Sequence, residues 1–339
     1  MISIHDSNLV KQFFIKNKID INYLRRFRNA YYKKSLPFND CLTEIPITKQ
    51  QLFKATIQTD FLNLVHRSDS KIDGCSKLVF KTKAGHRLET VILRIDSGRT
   101  SLCISSQIGC AVKCHFCATG NLNTVINLSY NEIIDQIICA NDILRTEGRQ
   151  VRNVVFMGMG EPMHNYTNLT KAIDVLKSDK HFKFTTRRII VSTVGVIDKM
   201  LKFNQQYPEI GLALSLHSAL QHKRQQIIPI ANKYNLADLH KCLSTITTKS
   251  KSPIMLEYLM LQDITDSQED LNALLKFCKN LNVHINLIPY NTNPQAPTFL
   301  SSNQETIQYF ADTLKNAGLK TTLRYSLGSD IEAACGQLV

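Results

Sequence analysis

Three thiols fall within eight residues of the stretch Ile108-Gly109-Cys110-Ala111-Val112-Lys113-Cys114-His115-Phe116-Cys117-Ala118-Thr119-Gly120. Thiolates this close repel one another unless a metal centre takes up their charge, and soft sulfur donors select zinc, copper(I) or iron–sulfur clusters. A structural zinc site takes four ligands, usually two pairs of Cys or His a dozen or more residues apart. No second pair is present here. His115 lies between Cys114 and Cys117, where a tight loop would struggle to wrap four donors around one ion. Three ligands leave a position open. A four-iron, four-sulfur cluster on Cys110, Cys114 and Cys117 would keep one iron free for a substrate, which makes it a reaction centre.

Such a loop needs a frame. A strand-like run, Ser101-Leu102-Cys103-Ile104-Ser105, leads into it, and from Thr100 onward strand and helix signals alternate. Ser129-Tyr130-Asn131-Glu132 is a capping box that opens a helix through Ile133, Ile134, Ile137 and Ile138. Strand-like runs recur at Asn153–Met157, Arg188–Ser192, Leu212–Leu216, Ile254–Met260, Val283–Ile288 and Thr321–Tyr325, and Thr167–Lys177, Leu236–Thr247, Ser267–Leu281 and Asn303–Ala317 read as helices. That alternation predicts parallel βαβ units in an open, partial β/α barrel of about six core strands.

In such folds the chemistry sits at the C-terminal ends of the strands. Four strand ends carry polar groups: Met157-Gly158-Met159-Gly160-Glu161-Pro162, Ser192-Thr193-Val194-Gly195, Ser215-Leu216-His217 and Pro289-Tyr290-Asn291. The glycines of the first allow close backbone approach, and Glu161 can accept hydrogen bonds from an ammonium group. Each alone reads as a turn or a helix cap; together they read as one ligand bowl beside the cysteine loop.

The chain of 339 residues is 43% hydrophobic, enough for one large domain and an accessory one, with no apolar run of membrane-spanning length. The N-terminus lacks the order of a signal peptide, and ten cysteines fit a reducing compartment, so a cytoplasmic protein is expected. Cys41, Cys75, Cys139, Cys242 and Cys278 read as packing residues. The net charge is +13, and residues 1–98 hold 17 Lys/Arg against 9 Asp/Glu, which suggests a phosphate-rich partner. Asp6 to Ile19, Asp20 to Lys34 and Thr48 to Arg67 have helical spacing, and Arg25, Arg26, Arg28, Tyr31, Tyr32, Lys33 and Lys34 predict a basic face with interleaved aromatics. Lys77–Lys83 and Arg87–Arg94 read as a hairpin around Gly85. The expected division is a helical RNA-binding unit over 1–70, a linking β-hairpin over 71–98 and the barrel with a C-terminal tail over 99–339.

Taken together, the Cys110-x3-Cys114-x2-Cys117 motif, Phe156–Pro162, Ser215-Leu216-His217, Ile288–Asn291 and the tail Asp330-Ile331-Glu332-Ala333-Ala334-Cys335-Gly336-Gln337-Leu338 resemble the RlmN/Cfr family of radical S-adenosylmethionine (SAM) RNA methyltransferases, over nearly the whole chain. Pro162 and Pro289 favour the RlmN branch. The resemblance implies methylation of an aromatic carbon of adenosine, C2 in the RlmN branch and C8 in the Cfr branch, with two SAM molecules per turnover. It implies that Cys335 carries the methyl group, that Cys103 resolves the protein–RNA adduct through a transient disulfide, and that Glu89 is the proton acceptor. It also implies one four-iron, four-sulfur cluster on Cys110, Cys114 and Cys117. SAM contacts are implied for Gly160, Glu161, Ser192, Ser215, Leu216, His217 and Asn291. The implied partners are large-subunit ribosomal RNA, or alternatively transfer RNA, and an external electron donor such as flavodoxin; a monomer is expected. The family's RSRGDD run becomes Tyr325–Asp330, with Leu327 and Ser329 in place of charged residues, and Thr292 interrupts the asparagine–proline step. The competing reading is a non-catalytic RNA-binding protein with a structural metal, or an enzyme acting on a protein or small molecule.

Overall fold

The computed structural model describes residues 1–95, 97–249 and 252–339. Helices α1 (Ser7–Lys16), α2 (Ile21–Arg28) and α3 (Ile47–Thr56) open the chain. Asp6 accepts from the backbone N–H groups of Asn8 and Leu9, and Asp20 accepts from that of Asn22, so two of these helices start on a side-chain cap. Phe13, Phe14, Phe27 and Phe53 meet at their centre with ring centroids 5.1–6.1 Å apart.

The helix expected over Thr48 to Arg67 stops at Thr56. Residues Leu62–Asp69 form strand β1, paired antiparallel with β2 (Cys75–Thr82), which pairs with β3 (Arg87–Arg94). Two reasons are visible. The buried Asp135 carboxylate accepts from the backbone N–H groups of Phe61 and Leu62 at 2.9 and 2.7 Å, pinning extended chain there. The strand then lies at the edge of the sheet, where Leu64 and Val65 stay exposed, so their helical spacing marks no buried face. The two-stranded hairpin is thus a three-stranded meander.

Strand β4 (Thr100–Cys103) joins this meander to a parallel array. After it come α4 (Tyr130–Arg145), β5 (Asn153–Phe156), α5 (Tyr166–Lys177), β6 (Ile189–Thr193), α6 (Ile197–Gln206), β7 (Gly211–Ser215), α7 (Leu236–Lys249), β8 (Ile254–Met260), α8 (Gln268–Cys278), β9 (Val283–Pro289), α9 (Gln304–Asn316) and β10 (Lys320–Leu323). The sheet order is β10-β9-β8-β7-β6-β5-β4-β3-β2-β1, with every pair from β4 to β10 parallel. The array is open, as expected, with seven parallel strands rather than about six. The capping box at Ser129 and Glu132 forms, and Ile133, Ile134 and Ile137 are fully buried, each worth about 1.5–3 kcal/mol. Because the seven strands run the same way, their C-terminal ends share one edge. No helix among the described residues is long and apolar enough to cross a membrane.

Candidate active site

The cysteine loop grows from the first of these strand ends. Gln107–Ile108 pairs antiparallel with Ile126–Asn127 and closes the base of the loop. Gly109, at φ +68°, is required there, because a Cβ would lie 2.0 Å from the carbonyl oxygen of Thr124. Cys114 is buried, Cys110 and Cys117 are half-buried, and His115 is exposed, which leaves the histidine out of the thiol group. Burial pushes the Cys110 thiol up to about 12 and raises Cys114 and Cys117 as well, each further raised by a neighbouring thiol. Backbone N–H groups of Val112 and Lys113 act on Cys110, and those of Thr119 and Gly120 on Cys117, in the direction that favours thiolate. Among the described residues no three His, Cys, Asp or Glu side chains converge on a single-ion cage. A three-thiol donor set with N–H groups turned to the sulfurs therefore suits an iron–sulfur cluster.

Beside the loop lies a cavity of about 160 Å³ that brings together Gly160, Glu161, Ser192, Ser215 and His217 with Cys117 and Cys335. Glu161 is buried; its two oxygens accept from the backbone N–H groups of Val194 and Met163, both at 2.9 Å. Burial pushes its carboxyl up to about 7, against the pull of those N–H groups. Gly160, at φ +92°, packs so tightly that a Cβ would sit 2.4 Å from Cβ of Gln107. The hydroxyls of Ser192 and Ser215 are 3.3 Å apart. His217 meets the Phe116 ring edge-on at 5.0 Å, and burial pushes its imidazole down to about 3, which leaves it neutral. Two expected contacts are placed differently. Leu216 is fully buried in the main apolar core. Asn291 turns to the tail, donating to Ser326 Oγ at 3.0 Å and to the Cys335 carbonyl at 3.4 Å.

A second cavity, of about 410 Å³, is lined by Cys103, Cys335, Cys117, Met157 and Arg324 among others. Cys335 borders both cavities. The tail is laid against the cysteine loop: Ala118 N–H donates to the Gly336 carbonyl at 2.8 Å, and Thr119 Oγ1 donates to that of Leu338 at 2.7 Å. Thr292 takes part through its carbonyl, which accepts from Gln337 Nε2 at 2.7 Å. Ser70 Oγ and Lys71 N–H, in the turn between β1 and β2, donate to Asp330 at 2.8 and 2.9 Å. Cys103 and Cys335 are both free thiols, so the disulfide implied by the resemblance is not formed. Burial pushes the Cys103 thiol up to about 12, with the neighbouring Cys335 adding to it. Glu89 is buried on β3, accepts from the backbone N–H of Val339 at 3.1 Å, and faces Lys77 Nζ at 3.5 Å. Burial raises its carboxyl, partly offset by Lys77.

Several residues that sequence reasoning passed over also face the site. Glu257, in the middle of β8, accepts from Asn286 at 2.9 Å and from Arg324 at 3.4 Å. A carboxylate inside the apolar run Ile254–Met260 was the available signal. On the helical unit the basic face is only half as expected. Arg25, Arg26, Arg28, Lys33 and Lys180 line a hollow of about 680 Å³. Tyr31 and Tyr32 are buried instead, Tyr31 stacked on Phe27 and Tyr32 donating to the carbonyl of Ile4 at 3.1 Å.

An open parallel α/β array with a three-cysteine loop at one strand end and a polar bowl beside it defines a radical-SAM enzyme. A crystallised radical SAM methyltransferase from Sphaerobacter thermophilus superposes with a TM-score of 0.94, over 100% of this chain and 99% of that one, at 30% identity. No family model matches the chain. A probable RNA methyltransferase of Rhodopirellula baltica is 48% identical, over 95% of this chain and 83% of its own length. Proteins named probable dual-specificity RNA methyltransferase RlmN are 40% identical in Clostridium botulinum (79% of this chain, 76% of the relative) and 34% in a Thermotoga species (96% and 97%). The chain belongs to the RlmN family of radical-SAM RNA methyltransferases.

Proposed function

We propose that the protein methylates C2 of an adenosine in RNA, ribosomal RNA being favoured, through a methyl group carried on Cys335. The observation that carries this reading is the position of Cys335, which borders both the cavity of Glu161 and Ser192 and the cavity of Cys103. A thiol between two chambers can take a methyl group from one side and present it to a base on the other. C2 of adenine is a poor nucleophile, so a polar transfer from SAM to that carbon would be too slow. When bound, a cluster on Cys110, Cys114 and Cys117 supplies the electron that cleaves SAM to a 5′-deoxyadenosyl radical.

The chain's own residues do the rest. Glu161, already held by two N–H groups, has the charge and position to receive the SAM ammonium group, and Ser192 and Ser215 offer hydroxyls to its polar edge. The Cys335 thiolate attacks the methyl carbon of one SAM, forming the Sγ–C bond as the sulfonium S–C bond breaks and S-adenosylhomocysteine leaves. Hydrogen abstraction from that methyl group leaves a carbon radical that adds to the base. Glu89 is assigned the proton that must leave C2, and the adduct must also give up its one unpaired electron, for which the oxidised centre on Cys110, Cys114 and Cys117 would be the acceptor, before the thioether is closed-shell. Cys103 then attacks the sulfur of Cys335, forming the S–S bond as the S–C bond breaks and the carbon keeps the electron pair, to be protonated to a methyl group. An external reductant restores both thiols.

The test is anaerobic reconstitution followed by mass spectrometry of adenosine from RNA incubated with the enzyme, SAM and reductant. About four irons and four sulfides per chain, with 2-methyladenosine, is the expected result. One zinc and no sulfide, or 8-methyladenosine alone, overturns it.

A further inference from the structure

Arg224 is 0% exposed, yet among the described residues no carboxylate pairs with it. It sits on the short helix Gln221–Ile227. Its Nε donates to the carbonyl of Leu216 at 3.1 Å, and its Nη2 donates to those of Val194 at 2.7 Å and Ser215 at 3.4 Å. Nη1 is buried without a partner. A buried guanidinium with only carbonyl dipoles around it carries a desolvation cost that a nearby anion normally offsets. The neighbour that acts on it is Cys114, which opposes the lowering of Arg224 by burial. His217, also close, is neutral and brings no negative charge.

The short helix is fastened to the cysteine loop. His115 N–H donates to the carbonyl of Ile227 at 3.1 Å, and Val112, Cys114 and Phe116 pack with Ile227 and Ile228 in one apolar cluster. The guanidinium is thus carried on a helix that packs against the loop, and it lies away from solvent in a low-dielectric setting where charges interact strongly. Three thiolates make the loaded loop anionic, and each electron it takes adds a further negative charge.

We propose that Arg224 is the charge-balancing residue of the three-cysteine centre, a fixed buried cation that favours the reduced form and so eases electron uptake from the external donor. The inference rests on the cluster reading above. It is tested by reconstituting wild type, Arg224→Leu and Arg224→Lys anaerobically, assaying iron and sulfide, and following reduction by electron paramagnetic resonance during a redox titration. At the potential where the wild type is half reduced, the reduced-to-oxidised ratio of Arg224→Leu should fall about tenfold, a shift of ~59 mV to more negative potential for a one-electron couple. Arg224→Lys keeps the charge while losing the fork on three carbonyls, and should stay at the wild-type midpoint even if its melting temperature drops. An unmoved midpoint in Arg224→Leu overturns the proposal, as does a shift in Arg224→Lys as large as in Arg224→Leu. Should Arg224→Leu fail to fold, Arg224→Lys decides: the wild-type midpoint supports the proposal and a tenfold displacement overturns it. A wild type that takes up no iron and sulfide overturns the cluster reading and this inference together, whereas a normal cluster with an unmoved midpoint overturns this inference alone.

Discussion

Cys103 ends β4, a position where a cysteine is ordinarily a small packing residue. Here it is half-buried and borders a cavity with a second thiol, Cys335. The two roles predict different outcomes for Cys103→Ala. A packing cysteine should cost about 1 kcal/mol and leave turnover intact. A resolving thiol should leave Cys335 able to take up the methyl group and add it to RNA, with nothing to open the thioether. We therefore predict a protein–RNA band that survives denaturation and vanishes with ribonuclease, and that is missing in Cys335→Ala. Methylated adenosine released by Cys103→Ala at the wild-type rate would remove Cys103 from the mechanism.

Among the elements, β1 is held at its start by one distant side chain. Asp135, on α4, is 2% exposed and holds the Phe61 and Leu62 N–H groups where β1 begins. Burial pushes its carboxyl up to about 7 in spite of those two donors. A folded-state value above the unfolded one means that its contribution is fully present below the ordinary aspartate value of about 4, and is lost as pH rises through about 7. Asp135→Asn keeps the acceptor and does not titrate. Its melting temperature should therefore gain on that of the wild type between about pH 5 and pH 8, as read by differential scanning calorimetry. A gap that moves the other way would mean that the two N–H donors outweigh burial. Asp135→Ala leaves both donors without their acceptor and should cost about 1–3 kcal/mol for each that stays unpaired.

On the scale of the whole molecule, the tail reaches the cysteine loop while the positive charge gathers in a separate hollow. The tail crosses from β10 to the cysteine loop and is anchored by Asp330 to the turn between β1 and β2, so the meander helps hold Cys335 between its two cavities. The surplus of positive charge forms a hollow built from α2 together with Lys180, which follows α5. Arg25 and Lys33 are exposed there, while Arg28 is half-buried and donates to Ser7 at 3.2 Å. Arg25→Ala with Lys33→Ala should weaken RNA binding and lower the slope of log affinity against log salt by about two, one phosphate contact for each cation, with unchanged melting temperature. An unaltered slope would assign those cations to a solvated face without contact to RNA.

The sequence alone determined what depends on local spacing. Three thiols in one loop limit the metals they can hold, a Ser-x-x-Glu box starts a helix wherever it occurs before an apolar run, and regular alternation of strand and helix leads to parallel pairing. For the same reason the polar strand ends Gly160, Glu161, Ser192, Ser215 and His217 are legible as one bowl in the sequence. The tertiary structure decided what depends on long-range partners. Residues Leu62–Asp69 carry a helix-like pattern, but Asp135 and β2 supply the backbone hydrogen bonds that make them a strand. Tyr31 and Tyr32 adjoin basic residues in sequence, yet the turn of the chain after α2 points both rings into the core. Arg224 carries no local mark at all. Its significance comes from burial on a helix that packs against a loop more than a hundred residues earlier in the chain, and burial is a property of packing, which no short window of sequence contains.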